Sequence, residues 1–225
     1  MEDLLSLGIW DRETPDKSVA ACVERLGKPD RCERVLCIDL GSPDKPAARL
    51  AAASAALNAL WRDTRQRWLE AMNRSPDDDR RVPVFIVIDE AHNLAPTQPA
   101  TDLARSLNEI LVTIATEVRK YGLFLVLITQ RPQRLDQTIL SQCDNLCLLK
   151  MNNRLDLDLV ESSFGFIPQG WAQRARDFSV GDAMLAGNFV DRPVYIHAAS
   201  RRTAQGRRNL QDTFWLQDPV NVSLE

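Results

Sequence analysis

Residues 84–96 read VFIVIDEAHNLAP. Five consecutive apolar residues, Val84 to Ile88, run straight into two adjacent carboxylates, Asp89 and Glu90. A β strand that is apolar at every position asks to be covered on both faces, as a central strand of a parallel sheet is. In an open α/β sheet, the side chains at the carboxyl end of such a strand face the crevice where ligands sit. The stretch therefore predicts a buried parallel strand with an acidic tip.

The same plan returns downstream. LFLVLITQRP (123–132) predicts an apolar strand over 123–128 that ends in a polar pair, Thr129-Gln130. Between the two strands, Leu103, Leu107, Ile110, Leu111, Ile114, Val118 and Tyr121 recur at helical spacing, which predicts a helix from Asp102 to Tyr121 broken by Gly122. Upstream, an alanine-rich helix is expected from Pro46 to about Arg74, with Leu50, Leu57, Leu60, Trp61, Trp68 and Met72 on its core stripe. RVLCIDLGS (34–42) reads as a short strand ending in a turn. Beyond Gln130 come a short helix near 138–142, a strand over NLCLLKM (145–151), and GDAMLAG with PVYIHA (193–198) as a terminal hairpin or pair of strands. Strands alternating with long helices argue for an α/β fold, a mainly parallel sheet flanked by helices. Residues 1–33 read as a helical lead-in, 34–198 as the core, and 199–225 are expected to be a flexible basic tail bearing Arg201, Arg202, Arg207 and Arg208.

Bulk composition narrows the class. A chain of 225 residues with 44% hydrophobic and 26% charged residues can bury a full core. The net charge of −3 gives no global basic signature, so a nucleic-acid partner would be met by local patches or a ring of subunits. No apolar stretch approaches the roughly 18 residues of a membrane span, and the acidic start MEDLLSLGIWDRE lacks the order of a signal peptide. Five cysteines form no CxxC pair and the chain holds two histidines, which argues against zinc and for a reduced, cytoplasmic protein.

The strand ends carry the chemistry. An acid pair after a buried strand is what a nucleotide hydrolase needs: Asp89 to hold Mg²⁺ through water, Glu90 to orient or deprotonate the attacking water. Neighbouring parallel strands lie about 4.8 Å apart. If these two are adjacent, Glu90 and Gln130 overhang one crevice. A neutral glutamine there can bond a γ-phosphate oxygen or the lytic water without adding negative charge. The bland alternatives are a charged pair opening a surface loop and a loop-capping glutamine.

VFIVIDEAHNLAP, then EVRKYGLFLVLITQRPQRLDQTILSQCDNLCLLKMNN, then VGDAMLAGNFVDRPVYIHA, resemble in order the second half of a HerA/FtsK-type P-loop ATPase, with the HerA branch the closer. The resemblance covers about residues 34 to 198. It implies a RecA-like P-loop NTPase fold, ATP and Mg²⁺ as cofactors, a homo-oligomeric, hexameric ring, and translocation of double-stranded DNA. It further implies work with a nuclease or other effector in DNA-end processing or phage defence. Asp89 and Glu90 match the Walker B pair, Gln130 the polar sensor position beside Thr129 on the nucleotide, and Arg119-Lys120 a basic pair. Arg119 is the candidate trans finger on a neighbouring subunit's nucleotide; the helix dipole explains an Arg-Lys at a helix end equally well. Arg131 and Arg134, with the basic tail, are the candidate DNA contacts.

One part of the pattern is absent. A P-loop motor needs G-x-x-x-x-G-K-[ST], and the sequence has none: after Gly27-Lys28 comes Pro29, and Cys22 stands where the first glycine belongs. Either these residues are the carboxyl-terminal part of a longer protein whose remainder supplies the loop, or they form a complete, non-hydrolysing scaffold that recruits partners. Retention of Asp89, Glu90 and Gln130 favours the first. DEAH alone also occurs in RNA helicases, but the downstream TQRP differs from theirs. HExxH is missing, so His92 reads as a hydrogen-bonding loop residue that relays nucleotide state rather than a zinc ligand.

Overall fold

A computed structural model describes residues 18–26, 35–41, 43–73, 75, 81–117, 121–200 and 202. The chain opens with helix α1 (Val19–Leu26), where the Ser18 hydroxyl accepts the Ala21 amide at 3.2 Å. It packs against helix α2 (Pro46–Met72), a 27-residue helix with Pro46 in its first turn, where the missing N–H costs nothing. Strand β1 (Val84–Ile88) leads through a tight turn at Ala91–Asn93 to helix α3 (Asp102–Glu117). Strand β2 (Leu123–Leu127), a turn at Pro132–Arg134 and the short helix α4 (Gln137–Ser141) follow. Strand β3 (Asn145–Leu148), helix α5 (Arg154–Ser163), a helical turn at Ala172–Asp177 and strands β4 (Asp182–Gly187) and β5 (Val194–His197) complete the order.

β1 and β2 pair in parallel from Val84↔Leu123 to Ile88↔Leu127, the adjacency on which the reading of the strand ends depends. β3, β4 and β5 form an antiparallel sheet in that order, β4 and β5 being the expected terminal hairpin. Gly187 ends β4 at φ +112°, and a side chain there would overlap the Asp144 carbonyl and the Asn145 backbone. The chain thus has an α/β fold, with its parallel pair backed by helices; the phosphate-loop motif does not occur in its sequence.

One core joins these elements. Leu107, Leu111 and Ile114 of α3 meet Leu57 of α2, Ile88 and Leu123 of the parallel pair, and Leu135, Ile139, Leu157 and Met184 beyond. Tyr121 closes one side, its ring edge-on to Trp61 at 5.1 Å and to Trp68 at 5.3 Å.

Three expectations need correction. Residues 35–39 form no strand: they have no ladder partner among the described residues, and Val35 is 85% exposed. A short apolar run becomes a strand only where another edge takes up its backbone groups. Met72 leaves the core stripe of α2 at 65% exposure, because the helix outruns the core; Ala48, Ala51, Ala53 and Ala59 are buried instead, their small side chains permitting close helix approach. Among the described residues β1 is covered on one face. Ile88 is buried, while Phe85 and Val87 point away from the core beside Phe124 and Val126, and the Phe85 and Phe124 rings stack at 5.1 Å. No helix among the described residues is long and apolar enough to cross a membrane.

Candidate active site

The tips of β1 and β2 stay paired beyond the strands. The Ile128 amide donates to the Ile88 carbonyl at 2.9 Å, and the Ala91 amide donates to the Ile128 carbonyl at 2.9 Å. Asp89 and Glu90 are therefore bracketed, front and back, by bonds to the residue that precedes Thr129-Gln130. Both strands run the same way, so the acid pair and the polar pair emerge at one edge.

Glu90 takes an unusual backbone. Its φ of 47° and ψ of 48° are left-handed, the only positive φ outside glycine among the described residues. A non-glycine residue held there costs about 1–3 kcal/mol, and such strain clusters at functional sites. The conformation turns the chain out of the strand direction: the Glu90 carbonyl accepts the Asn93 amide at 2.9 Å and the turn at 91–93 begins. Asp89 Oδ1 accepts the Glu90 amide at 3.0 Å, which fixes the first carboxylate at the exposed tip.

The Glu90 side chain is 39% exposed, yet its Oε2 is buried without a hydrogen-bond partner. One carboxylate oxygen turns inward while the rest of the group faces the open side. The inward oxygen lies 3.4 Å from His92 Nδ1, and that nitrogen lies 3.0 Å from Thr129 Oγ1. Thr129 Oγ1 also accepts the Arg131 amide at 3.0 Å. Gln130, between them, is exposed.

The loop after Gln130 is strapped down. The Thr97 amide donates to the Arg134 carbonyl and the Asp136 amide to the Ala95 carbonyl, both at 2.9 Å. Buried Asp156 of α5 accepts the Gln133 amide at 3.3 Å. Asp136 caps α4 by accepting the Thr138 amide at 2.8 Å and the Ile139 amide at 3.2 Å, and also takes the Asn108 side-chain amide of α3 at 2.9 Å. Arg131 and Arg134 consequently sit exposed on an anchored loop beside the strand tips.

Asp89, Glu90, Thr129 and Gln130 are brought together, with Arg131 and Arg134 adjacent. Arg119, Lys120, Lys28 and most of the basic tail lie outside the described residues. The link that sequence reasoning missed is His92 to Thr129; the histidine itself was visible beside the acid pair, but nothing in the sequence named its partner. Among the described residues no three or more His, Cys, Asp or Glu gather into a metal cage; in general Mg²⁺ is held by one or two carboxylates together with water. Asp89, fixed in direction and open to solvent, suits that mode.

A family model described as "ATPase family associated with various cellular activities (AAA)" matches residues 42–151. The DNA double-strand break repair helicase HerA of Saccharolobus solfataricus is 31% identical over 129 residues, 55% of this chain and 24% of that protein. The Probable helicase MJ1565 of Methanocaldococcus jannaschii is 29% identical over 141 residues, 62% of this chain and 27% of that protein. The chain spans about a quarter of the length of these curated relatives. Among solved structures, the genome packaging NTPase B204 of Sulfolobus turreted icosahedral virus 2, in complex with ATP-gammaS, is similar at 16% identity and a TM-score of 0.44, covering 64% of this chain and 61% of that one.

Proposed function

We propose, from the premise that this chain is a HerA-like P-loop ATPase, that it supplies the Walker B half of an ATP-hydrolysing motor that moves double-stranded DNA. The observation that supports the reading is the bracketing of Asp89-Glu90 by Ile128, which brings the acid pair and Thr129-Gln130 to one edge of the paired strands. Glu90 accepts a proton from the water that attacks the γ-phosphorus of ATP as the bond to the ADP oxygen breaks. Gln130 orients that water or a γ-phosphate oxygen, with Thr129 beside it. Asp89 would hold Mg²⁺ through water. The ion, when bound, neutralises charge on the phosphoryl oxygens.

The amides and lysine that cradle the phosphates come from outside these residues, since no G-x-x-x-x-G-K-[ST] occurs in them. The 225 residues alone are accordingly expected not to turn over ATP. The bare apolar face of β1–β2 supports the same view: it is what a strand pair shows before the rest of a motor, or a neighbouring subunit, covers it. Arg131 and Arg134 contact the DNA backbone, a few cations per subunit multiplied around a hexameric ring. Arg119 is the candidate trans finger. The motor acts with a nuclease or other effector in DNA-end processing or phage defence, in the cytoplasm.

Glu90→Gln in the complete natural protein tests the reading. ATP turnover is expected to fall by about 100- to 10,000-fold, the usual range for a lost general base, while nucleotide binding survives. Undiminished hydrolysis removes Glu90 from the mechanism. The missing phosphate loop favours a second reading, a scaffold that recruits partners without hydrolysis. ATP binding by the complete natural protein counts against it.

A further inference from the structure

One group in the site has no part in the reading above. The His92 side chain is only 11% exposed, and its Nδ1 stands between two oxygens from different strand ends: Thr129 Oγ1 at 3.0 Å and Glu90 Oε2 at 3.4 Å. A neutral imidazole carries its N–H on one ring nitrogen. If Nδ1 bears the proton, it donates to Thr129, which accepts the Arg131 amide with its second lone pair. Glu90 Oε2 is then a buried carboxylate oxygen whose nearest donor is committed elsewhere, in keeping with its orphaned state. Leaving such an oxygen unmatched is costly, and a small rotation of the ring would satisfy it at the expense of Thr129.

We infer that His92 is a positioning residue for Glu90: its Nδ1–H, shared between Thr129 and Glu90, sets whether the carboxylate is drawn inward or left facing the crevice. The inference rests on the reading of Glu90 as the catalytic carboxylate. It has a directional consequence. The Thr129 hydroxyl that competes for the proton also holds the Arg131 amide, so Glu90, His92, Thr129 and Arg131 form one chain of contacts from the acid to the loop bearing the candidate DNA contacts. A shift of that loop changes the claim of Thr129 on His92 and, through it, the position of Glu90. The other histidine of the sequence, His197, pairs instead with Asp182 on the β4–β5 hairpin.

The experiment has two arms. In the complete natural protein, His92→Ala is expected to lower kcat by about 100-fold, the cost of a misplacement of about 1 Å, with KM for ATP unchanged. His92→Asn, whose amide nitrogen stands near the position of Nδ1, is expected to recover most of the loss. Thr129→Val is expected to lower kcat alone but to add little in the His92→Ala background, since both act through one contact. A kcat for His92→Ala within twofold of the parent, additive effects of the two substitutions, or failure of His92→Asn to recover activity overturns the proposal. In that comparison an inactive Glu90→Gln with a fully active His92→Ala sinks this inference alone, whereas a fully active Glu90→Gln sinks the underlying reading. The second arm needs no turnover and covers a His92→Ala protein that fails to fold. Nitrogen NMR of the chain labelled at its two histidines, with His197→Gln for assignment, is expected to show His92 as the Nδ1–H tautomer, its signal moving in Thr129→Val. An Nε2–H tautomer overturns the proposal.

Discussion

The strand with the most apolar sequence is not the one most enclosed. β1, VFIVI, has Phe85 at 64% and Val87 at 61% exposure, whereas β4, DAMLAG, buries Ala183, Met184 and Ala186 on both of its faces. β4 lies between two ladder partners, and its Met184 and Ala186 belong to the core. Among the described residues β1 has one partner, β2, and helices on one side. Alanine and glycine suffice in β4 because the neighbours come close. The bulk of β1 has no such neighbour among the described residues. An apolar strand thus records the surroundings for which its side chains were suited, and for β1 those surroundings are not provided by the described part of this chain.

The contrast can be broken in three places. Met184→Ala, in the enclosed strand, is expected to cost about 2–5 kcal/mol in denaturant unfolding, because it empties a filled site. A loss below 1 kcal/mol, on the order of a surface change, would mean that β4 is not enclosed as described. Phe85→Thr, in the bare face, is expected to change folding stability by no more than about 0.5 kcal/mol although it removes a larger side chain. It should also reduce self-association of the isolated chain in sedimentation, since exposed apolar area drives it. A large stability loss would show the face to be covered within the chain itself.

The smallest effect belongs to the hairpin. Asp182 Oδ1 meets His197 Nδ1 at 2.7 Å, and Asp182 Oδ2 accepts the Ser179 amide at 2.7 Å. The His197 bond first, then the Ser179 amide, hold the Asp182 carboxyl below its ordinary value. A carboxyl with a depressed folded-state value contributes stability above its unfolded value, near 3.9, and loses it as pH falls through the lower folded one. The difference in melting temperature between the parent and Asp182→Asn should therefore be slight at neutral pH and close on acidification below the ordinary carboxylate range. A difference that persists in acid would assign it to packing instead. His92 at the strand tips is the sharper case of the same pairing: there the carboxylate is turned partly inward and a hydroxyl competes for the ring.

Much of the fold could be read along the chain. The heptad-like spacing of α3 and the alanine run of α2 appear where periodicity places them, with Asp102 and Pro46 at their starts. Helix α5 was missed because Leu155, Leu157 and Leu159 alternate like a strand. It is a helix nonetheless, started by the Asn153 side chain, which accepts the Leu155 amide at 3.0 Å, and it buries Asp156, Leu157 and Val160. Asp156 goes inward because the Gln133 amide needs an acceptor there, a demand set by a loop twenty-odd residues away in sequence. The acid pair and the polar pair were legible as strand ends. Their adjacency was an expectation until the register Ile88↔Leu127 supplied it.

By itself the sequence determined the local matters: where the long helices and the two apolar strands lie, which strand ends are polar, and that no G-x-x-x-x-G-K-[ST] motif lies within these residues. Each follows from side-chain period, backbone preference or the presence of particular residues. Tertiary structure decided the rest. The left-handed turn at Glu90, the orphaned Oε2, the sharing of His92 Nδ1 with Thr129, and the bare flank of Phe85 and Val87 all depend on what another segment brings near. Hydrogen bonds and burial are properties of pairs of segments, and one-dimensional order carries no distance between them.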